Sequence, residues 1–475
     1  MNNRRANSVA PTDDSTTESG DGLKNTLSNR HIVMIALGGI IGAGLFVGSG
    51  AVINQTGPAA VLSYGLSGVL MVLVMRAIGE MAVARPSSGA IANFSRAGLG
   101  NWAGFSVGWL YWYFWVIVAA IEAVAGAGIL VRYIPGVPGW ALCLGLLLAL
   151  TGLNLLSVKA YGEAEFWFAS IKVIAIIFFI CVGTLFLFGV GDGGRSPGTS
   201  NLFADGGLFP LGVMAAIVGS VTVLFSMGGA EIATIAAAES KRPAEYASRA
   251  TKQVMYRVFF FYVVSVLLIV AIVPWDTDFA GETIESPFAV VLDRVGIPYT
   301  SLLMEAIVLT AVLSCLNSCL YITSRMLFAL SEHGDAPKFL VKVNRRGVPV
   351  RAILAGTSVG YAAVVANYFF PEQVFLFLIN SSGAIQLIYY TLIVAAQIKL
   401  RRYLEREEPE ALGLKMWGFP YLSYATIAWM IAILGLMAWI DETRSQLLLS
   451  LVSFAAILAA YRIRQRRGPV STMTH

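Results

Sequence analysis

A few ionisable residues stand inside long apolar runs of this chain: Glu122 in AAIEAVAGAG, Lys172 in FASIKVIAIIFF and Glu231 in MGGAEIATI. Where the surroundings are hydrocarbon, such groups are expensive and mark ion paths, proton relays or ligand contacts. Lys172 is a candidate proton carrier; the competing reading is that its stem snorkels to water from about two turns inside the span. Glu231 can bind an amine directly or hydrogen-bond an unwound main chain. Glu122, near the middle of its run, either lines a cavity or satisfies a polar group on another helix. Arg76 and Glu80 are four apart, a spacing suited to an ion pair that is structural or part of an inner gate. Glu305 lies near the outer end of a run, where a water-filled vestibule explains it.

Glycines are the second feature. GGIIGAGLFVGSG places six of them within residues 38–50, and FSMGGAEIATIAAAES places Gly228 and Gly229 three and two residues before Glu231. Glycine lets a chain leave the helix and lets a ligand approach the main chain. A helix broken in hydrocarbon exposes N–H and C=O groups that cost several kcal/mol each unless protein, water or substrate pairs with them. N–H groups freed around Gly42, Ala43 and Gly44 suit a carboxylate, and carbonyls around Met227 and Gly228 suit an ammonium. The simpler reading is close helix packing, since Gly38 and Gly42 form a small-xxx-small pair. Matching interruptions at the start of two halves favour a binding site at the bilayer midplane.

The elements that must position these groups follow from composition. The chain has 475 residues, 57% hydrophobic and 13% charged, with a mean hydropathy of +0.72. Spanning hydrocarbon takes ~20 apolar residues, and twelve such runs are expected near 31–54, 58–83, 101–133, 138–156, 164–189, 211–239, 254–275, 299–331, 350–369, 372–398, 417–440 and 446–464. Residues 1–29 read as a disordered cytoplasmic tail, 30–465 as one transmembrane domain and 466–475 as a cytoplasmic tail. ARPSSGAIANFSRAG reads as a loop or half-helix, and 190–210 as an irregular external loop.

The net charge of +5 is not a nucleic-acid footprint. Basic residues gather in alternate loops (Lys241, Arg242, Arg249 and Lys252; Lys338, Lys342, Arg345 and Arg346), with acids such as Asp276 and Asp278 between, which places both termini in the cytoplasm. The four cysteines lie in apolar runs and the histidines His31, His333 and His475 are scattered, so no metal, redox centre or cofactor is expected. No nucleophile set or phosphate loop points to an enzyme. WLYWYFWV at 109–116 reads as core or lipid-facing packing, or else as a stacking surface.

GGIIGAGLFVGSG, FSMGGAEIATIAAAES, LTGLNLLSVKAYGEAEFWFASIKV, LTAVLSCLNSCLYITSRML and VFLFLINSSGAI resemble the amino acid–polyamine–organocation superfamily, within it the bacterial amino acid transporter family. GWLYWYFWVIVAAIEA and SSGAI are most similar to its γ-aminobutyrate permeases. The resemblance spans roughly residues 24–465. It implies an all-α polytopic LeuT-type fold of 12 transmembrane helices, a 5+5 inverted repeat with helices one and six broken, and proton-driven import of an amino acid across the cytoplasmic membrane. It places the carboxylate-binding turn on Ile41, Gly42, Ala43 and Gly44, and the amine-binding stretch on Phe225 to Glu231 with Phe225 as a lid. It puts Lys172 where proton-driven relatives carry a lysine in place of sodium, facing Ser314 and Asn317. Met227 and Gly228 stand where γ-aminobutyrate permeases usually carry Phe and Met, which reshapes the cavity. The alternatives are a broader permease for neutral or aromatic α-amino acids, and, from a different class, a channel or nutrient receptor.

Overall fold

The computed structural model describes residues 41–466, apart from 86–89, 156–157, 191–195, 205, 232–244, 246–248, 250–251, 254, 280–285, 345–347 and 371–372. The tails expected at 1–29 and after 466, the first part of span one and the second part of span six lie outside the described residues.

Among the described residues all regular structure is helical. Span one runs through Ala43–Phe46 and Gly48–Thr56, and a 3-10 turn at Gly57–Ala59 reverses it into span two, Ala60–Ala84. The stretch before span three folds as a helix, Ala90–Leu99. Spans three, four and five are Asn101–Val131, Gly139–Asn154 and Val158–Leu187. Span six is Val213–Met227 up to its break. Span seven is Met255–Ile272, with a π-helical segment at Val258–Val264. Spans eight to twelve are Thr300–Glu332, Val350–Phe369, Val374–Glu407, Tyr421–Trp439 and Asp441–Arg466. Nine helices among the described residues are long and apolar enough to cross a membrane. Ala43–Ala84 counts once there although it holds two spans, while Gly139–Asn154 and Val213–Met227 are shorter. Within the described residues each of the twelve runs holds helix, with ends that differ from those expected.

In hydrocarbon every backbone group must be satisfied within the protein, which selects helices. Side-chain hydroxyls join the spans: Ser63 and Ser67 of span two donate to the carbonyls of Ala216 and Ser220 of span six at 2.6 and 3.0 Å. Span three is central, 83% buried over its most apolar stretch and packed against spans eight and ten, whereas spans eleven and twelve are 28% and 22% buried and form the rim.

At the end of the bundle that carries the basic loops, Glu80 accepts from Gln397 at 2.7 Å, from Arg401 at 2.6 Å and from the Met416 main chain. The expected Arg76–Glu80 pair does not form: Arg76 donates to the Lys415 carbonyl at 2.9 Å and stacks on Trp417. A guanidinium from span ten reaches into the protein beside Glu80, and that partner displaces the local one. Asp335, fully buried, likewise binds Arg96 and Arg464.

Candidate functional site

The two glycine-rich segments meet side by side, one where a helix begins and the other where a helix ends. Gly42 is extended (φ −136°, ψ −147°), and the helix begins at Ala43. The Ala43 N–H therefore lacks a helical partner and donates to both carboxylate oxygens of Glu122, at 3.1 and 3.0 Å. In span six the helix ends at Met227, Gly228 extends, and Gly229 adopts φ +89°, a left-handed conformation that favours glycine. Helical geometry resumes at Ala230 and Glu231. The Ser226 carbonyl accepts from the Tyr262 hydroxyl at 2.8 Å. A Cβ on Gly44 would lie 2.6 Å from Ser226 Cα and 2.9 Å from Phe225 Cε1, so only glycine lets the two segments come this close.

Between the segments lies a narrow cavity of about 10 Å³, room for one water. Span one contributes Gly44; span six contributes Phe225, Ser226 and Gly228; span eight contributes Cys315. Span three supplies Phe114, Trp115, Val118 and Glu122. Of the residues singled out in the sequence, Gly44, Glu122, Phe225 and Gly228 meet at this cavity. Gly42 lies against Glu122 and Cys315, and Ala43 joins through its N–H. Ile41 is buried but not on the wall, and Met227 is turned toward Gly68 of span two.

Glu231 sits behind the cavity rather than on its wall. Tyr390 of span ten donates to one carboxylate oxygen at 3.0 Å, and the other oxygen has no hydrogen-bond partner among the described residues. The cluster of aromatics at 109–116 divides. Tyr111 packs edge-on against Tyr389 with ring centroids 5.6 Å apart, and Trp109 donates to the Asp335 carbonyl at 3.2 Å. Phe114 and Trp115 wall the cavity instead of serving only as packing. The signal for this lay in the spacing: residues 111, 114, 115 and 118 share one helical face with Glu122.

Lys172 is fully buried about four turns inside a span that begins at Val158, and its side chain does not reach water. The snorkelling expectation is thereby overturned, because the helix starts earlier than the apolar run. Its ammonium lies 4.0 Å from Glu165, an acid on the same helix that sequence reasoning passed over. Glu165 is seven residues before Lys172, two turns along one face, a spacing that would have flagged it. Ser314 donates to Glu165 at 2.5 Å, whereas Asn317 pairs with Asn154 of span four at 2.6 Å. Glu305 forms an ion pair with Arg132 at 2.6 Å, so a guanidinium and not a vestibule accounts for it.

A helix start in span one and a helix break in span six, side by side at a narrow cavity inside a bundle of apolar spans, define a membrane transporter with a LeuT-type fold. The manganese transporter of Eremococcus coleocola shares this fold with a TM-score of 0.54 at 15% identity, covering 94% of this chain and 97% of that one. The chain belongs to the amino acid permease family, whose model matches residues 31–470. It is 49% identical over 450 residues to the gamma-aminobutyric acid permease of Bacillus subtilis, covering 95% of each chain. It is 44% identical to the gamma-aminobutyric acid permease of Escherichia coli K12, covering 88% of this chain and 89% of that one. With the aromatic amino acid transport protein AroP of Corynebacterium glutamicum identity is 38%, covering 90% and 92%. The protein is thus a multi-pass membrane permease and not an enzyme.

Proposed function

We propose that this permease imports γ-aminobutyrate with protons across the cytoplasmic membrane, with both termini in the cytoplasm. The observation that carries the reading is the Ala43 N–H held on the Glu122 carboxylate at 3.0–3.1 Å, beside a second break in span six. A donor that accommodates one carboxylate in this cavity suits the acid end of a zwitterion. The main chain of Ile41, Gly42, Ala43 and Gly44 takes the substrate carboxylate, and the span-six break from Phe225 through Met227, Gly228 and Gly229 takes the ammonium end. Phe225 closes over the substrate, and Glu231 holds the break in shape from behind. Glu122 moves off the Ala43 N–H as substrate enters. Lys172 belongs to the proton-coupling site.

High identity to the two gamma-aminobutyric acid permeases over nearly the whole chain supports the choice of substrate. The second reading, a broader α-amino acid permease, draws on the AroP relative and on Met227 and Gly228, which put a flexible and a minimal residue where bulk is expected. Uptake of labelled γ-aminobutyrate into proteoliposomes, with a panel of α-amino acids as competitors, separates the two. Competition by γ-aminobutyrate alone, and loss of accumulation when the proton gradient is collapsed, are expected. Uptake of labelled alanine or phenylalanine by the same proteoliposomes, with no γ-aminobutyrate uptake, would refute the substrate choice.

A further inference from the structure

The group that takes up and releases the proton can be narrowed from the charges buried around Lys172. Two carboxylates act on this one ammonium: Glu165, 4.0 Å away on the same helix, and Glu122 of span three. All three side chains are at most 1% exposed. With every group ionised the cluster carries one excess negative charge. Taking the proton from Lys172 would leave two buried carboxylates without a counter-charge, the costliest arrangement in a medium of low dielectric. Adding a proton to a carboxylate instead makes the cluster neutral. The ammonium is thus the fixed charge, and an acid is the variable one.

The two acids are not equivalent. Before substrate enters, both oxygens of Glu122 are engaged by the Ala43 N–H. Glu165 accepts from Ser314 through Oε1 at 2.5 Å, and its Oε2, buried, has no hydrogen-bond partner among the described residues. That oxygen is where a proton adds without breaking a bond already made. Ser318, one turn along span eight, also faces this carboxylate.

The helices packed around the cluster carry further ionisable groups. Span eight brings the thiols of Cys315 and Cys319 to the cluster. Span seven brings Arg257 and Tyr262, which act on each other and on Glu231 and Cys315. Span four carries Cys143, and the helix Pro287–Val295 carries Asp293 and Arg294 at its far end, where Arg294 reaches the Ile272 carbonyl. Asn317, three residues after Ser314, has a buried amide nitrogen with no hydrogen-bond partner among the described residues and is bonded through its oxygen to Asn154. These polar groups continue from Glu165 toward the end of span four.

We propose that the coupled proton is carried by Glu165, on Oε2, while Lys172 stays an ammonium throughout. An O–H bond forms on Glu165 when the site faces the proton-rich side and breaks to water on the other, regenerating the carboxylate; no other bond changes. This rests on the proton-symport reading and makes Glu165 a coupling residue, with Lys172 its positioning partner.

Three variants in proteoliposomes test it: E165Q, E165D and K172Q, read by gradient-driven accumulation, by substrate counterflow without a gradient, and by the pH profile of counterflow. E165Q is expected to accumulate to an inside-to-outside ratio of one, to retain counterflow and to lose its pH dependence. E165D and K172Q, which keep a carboxyl, are expected to retain a pH-dependent counterflow. A pH-independent K172Q, or an E165Q that still accumulates substrate on a proton gradient, would overturn the assignment. Should E165Q fail to fold, the K172Q profile still decides, and E165Q/K172Q, which removes both charges of the pair, is expected to exchange without pH dependence. Wild-type accumulation indifferent to the proton gradient would instead refute proton symport itself, which keeps the two failures apart.

Discussion

Gly44→Ala is the smallest perturbation that reaches the contact between the broken spans. The added methyl would lie 2.6 Å from Ser226 Cα and 2.8 Å from Ser226 Cβ. Carbon atoms rest at ~3.6 Å, so the two segments must part by about 1 Å. Ser226 Cα is main chain and cannot turn aside as a side chain would. Overpacking of this kind costs about 1–3 kcal/mol, charged against the closed arrangement in which the segments touch. If substrate is held only in that arrangement, kcat/KM should fall about 5–150-fold. Initial uptake rates of labelled γ-aminobutyrate, normalised to the protein present in the membrane, measure this. Gly65→Ala is the control: its Cβ meets nothing within 4 Å in the second turn of span two, where alanine gains ~0.5–1 kcal/mol over glycine inside a helix. Wild-type kinetics for Gly44→Ala, or an equal loss for Gly65→Ala, would show that the contact does not govern transport.

Other consequences can be checked separately. Tyr390→Phe removes the donor 3.0 Å from Glu231 and leaves a buried acceptor unpaired, at a cost of ~1–3 kcal/mol; a lowered thermal midpoint of the purified protein, with a raised KM, is expected. Arg401→Ala uncovers Glu80, which is 2% exposed, and removing one partner of a buried pair costs about 3–5 kcal/mol. The double variant with Glu80→Ala should lose less than the two single losses combined, and strict additivity in thermal unfolding would argue that the pair is uncoupled.

The sequence by itself determined the apolar runs that form the spans, their places and the two glycine-rich points where the main chain is not helical. Hydrocarbon is the reason: it admits only chains whose backbone groups are satisfied internally, so apolar length and glycine position carry that information without reference to neighbours. Which residues meet was decided by the tertiary structure. Arg76 is four residues from Glu80, yet Arg401, 321 residues away, is the partner. Lys172 looked close enough to the surface to reach water until the earlier helix start and the neighbouring spans enclosed it, and Glu165 acquired meaning only through its contacts with Lys172 and Ser314. Spans three and twelve are both apolar, but one is 83% buried and the other 22%. A helix apolar on every side has no amphipathic stripe to say which face meets protein and which meets lipid. That choice comes from the fit of surfaces far apart in the chain, and it is what turned Phe114 and Trp115 into a cavity wall.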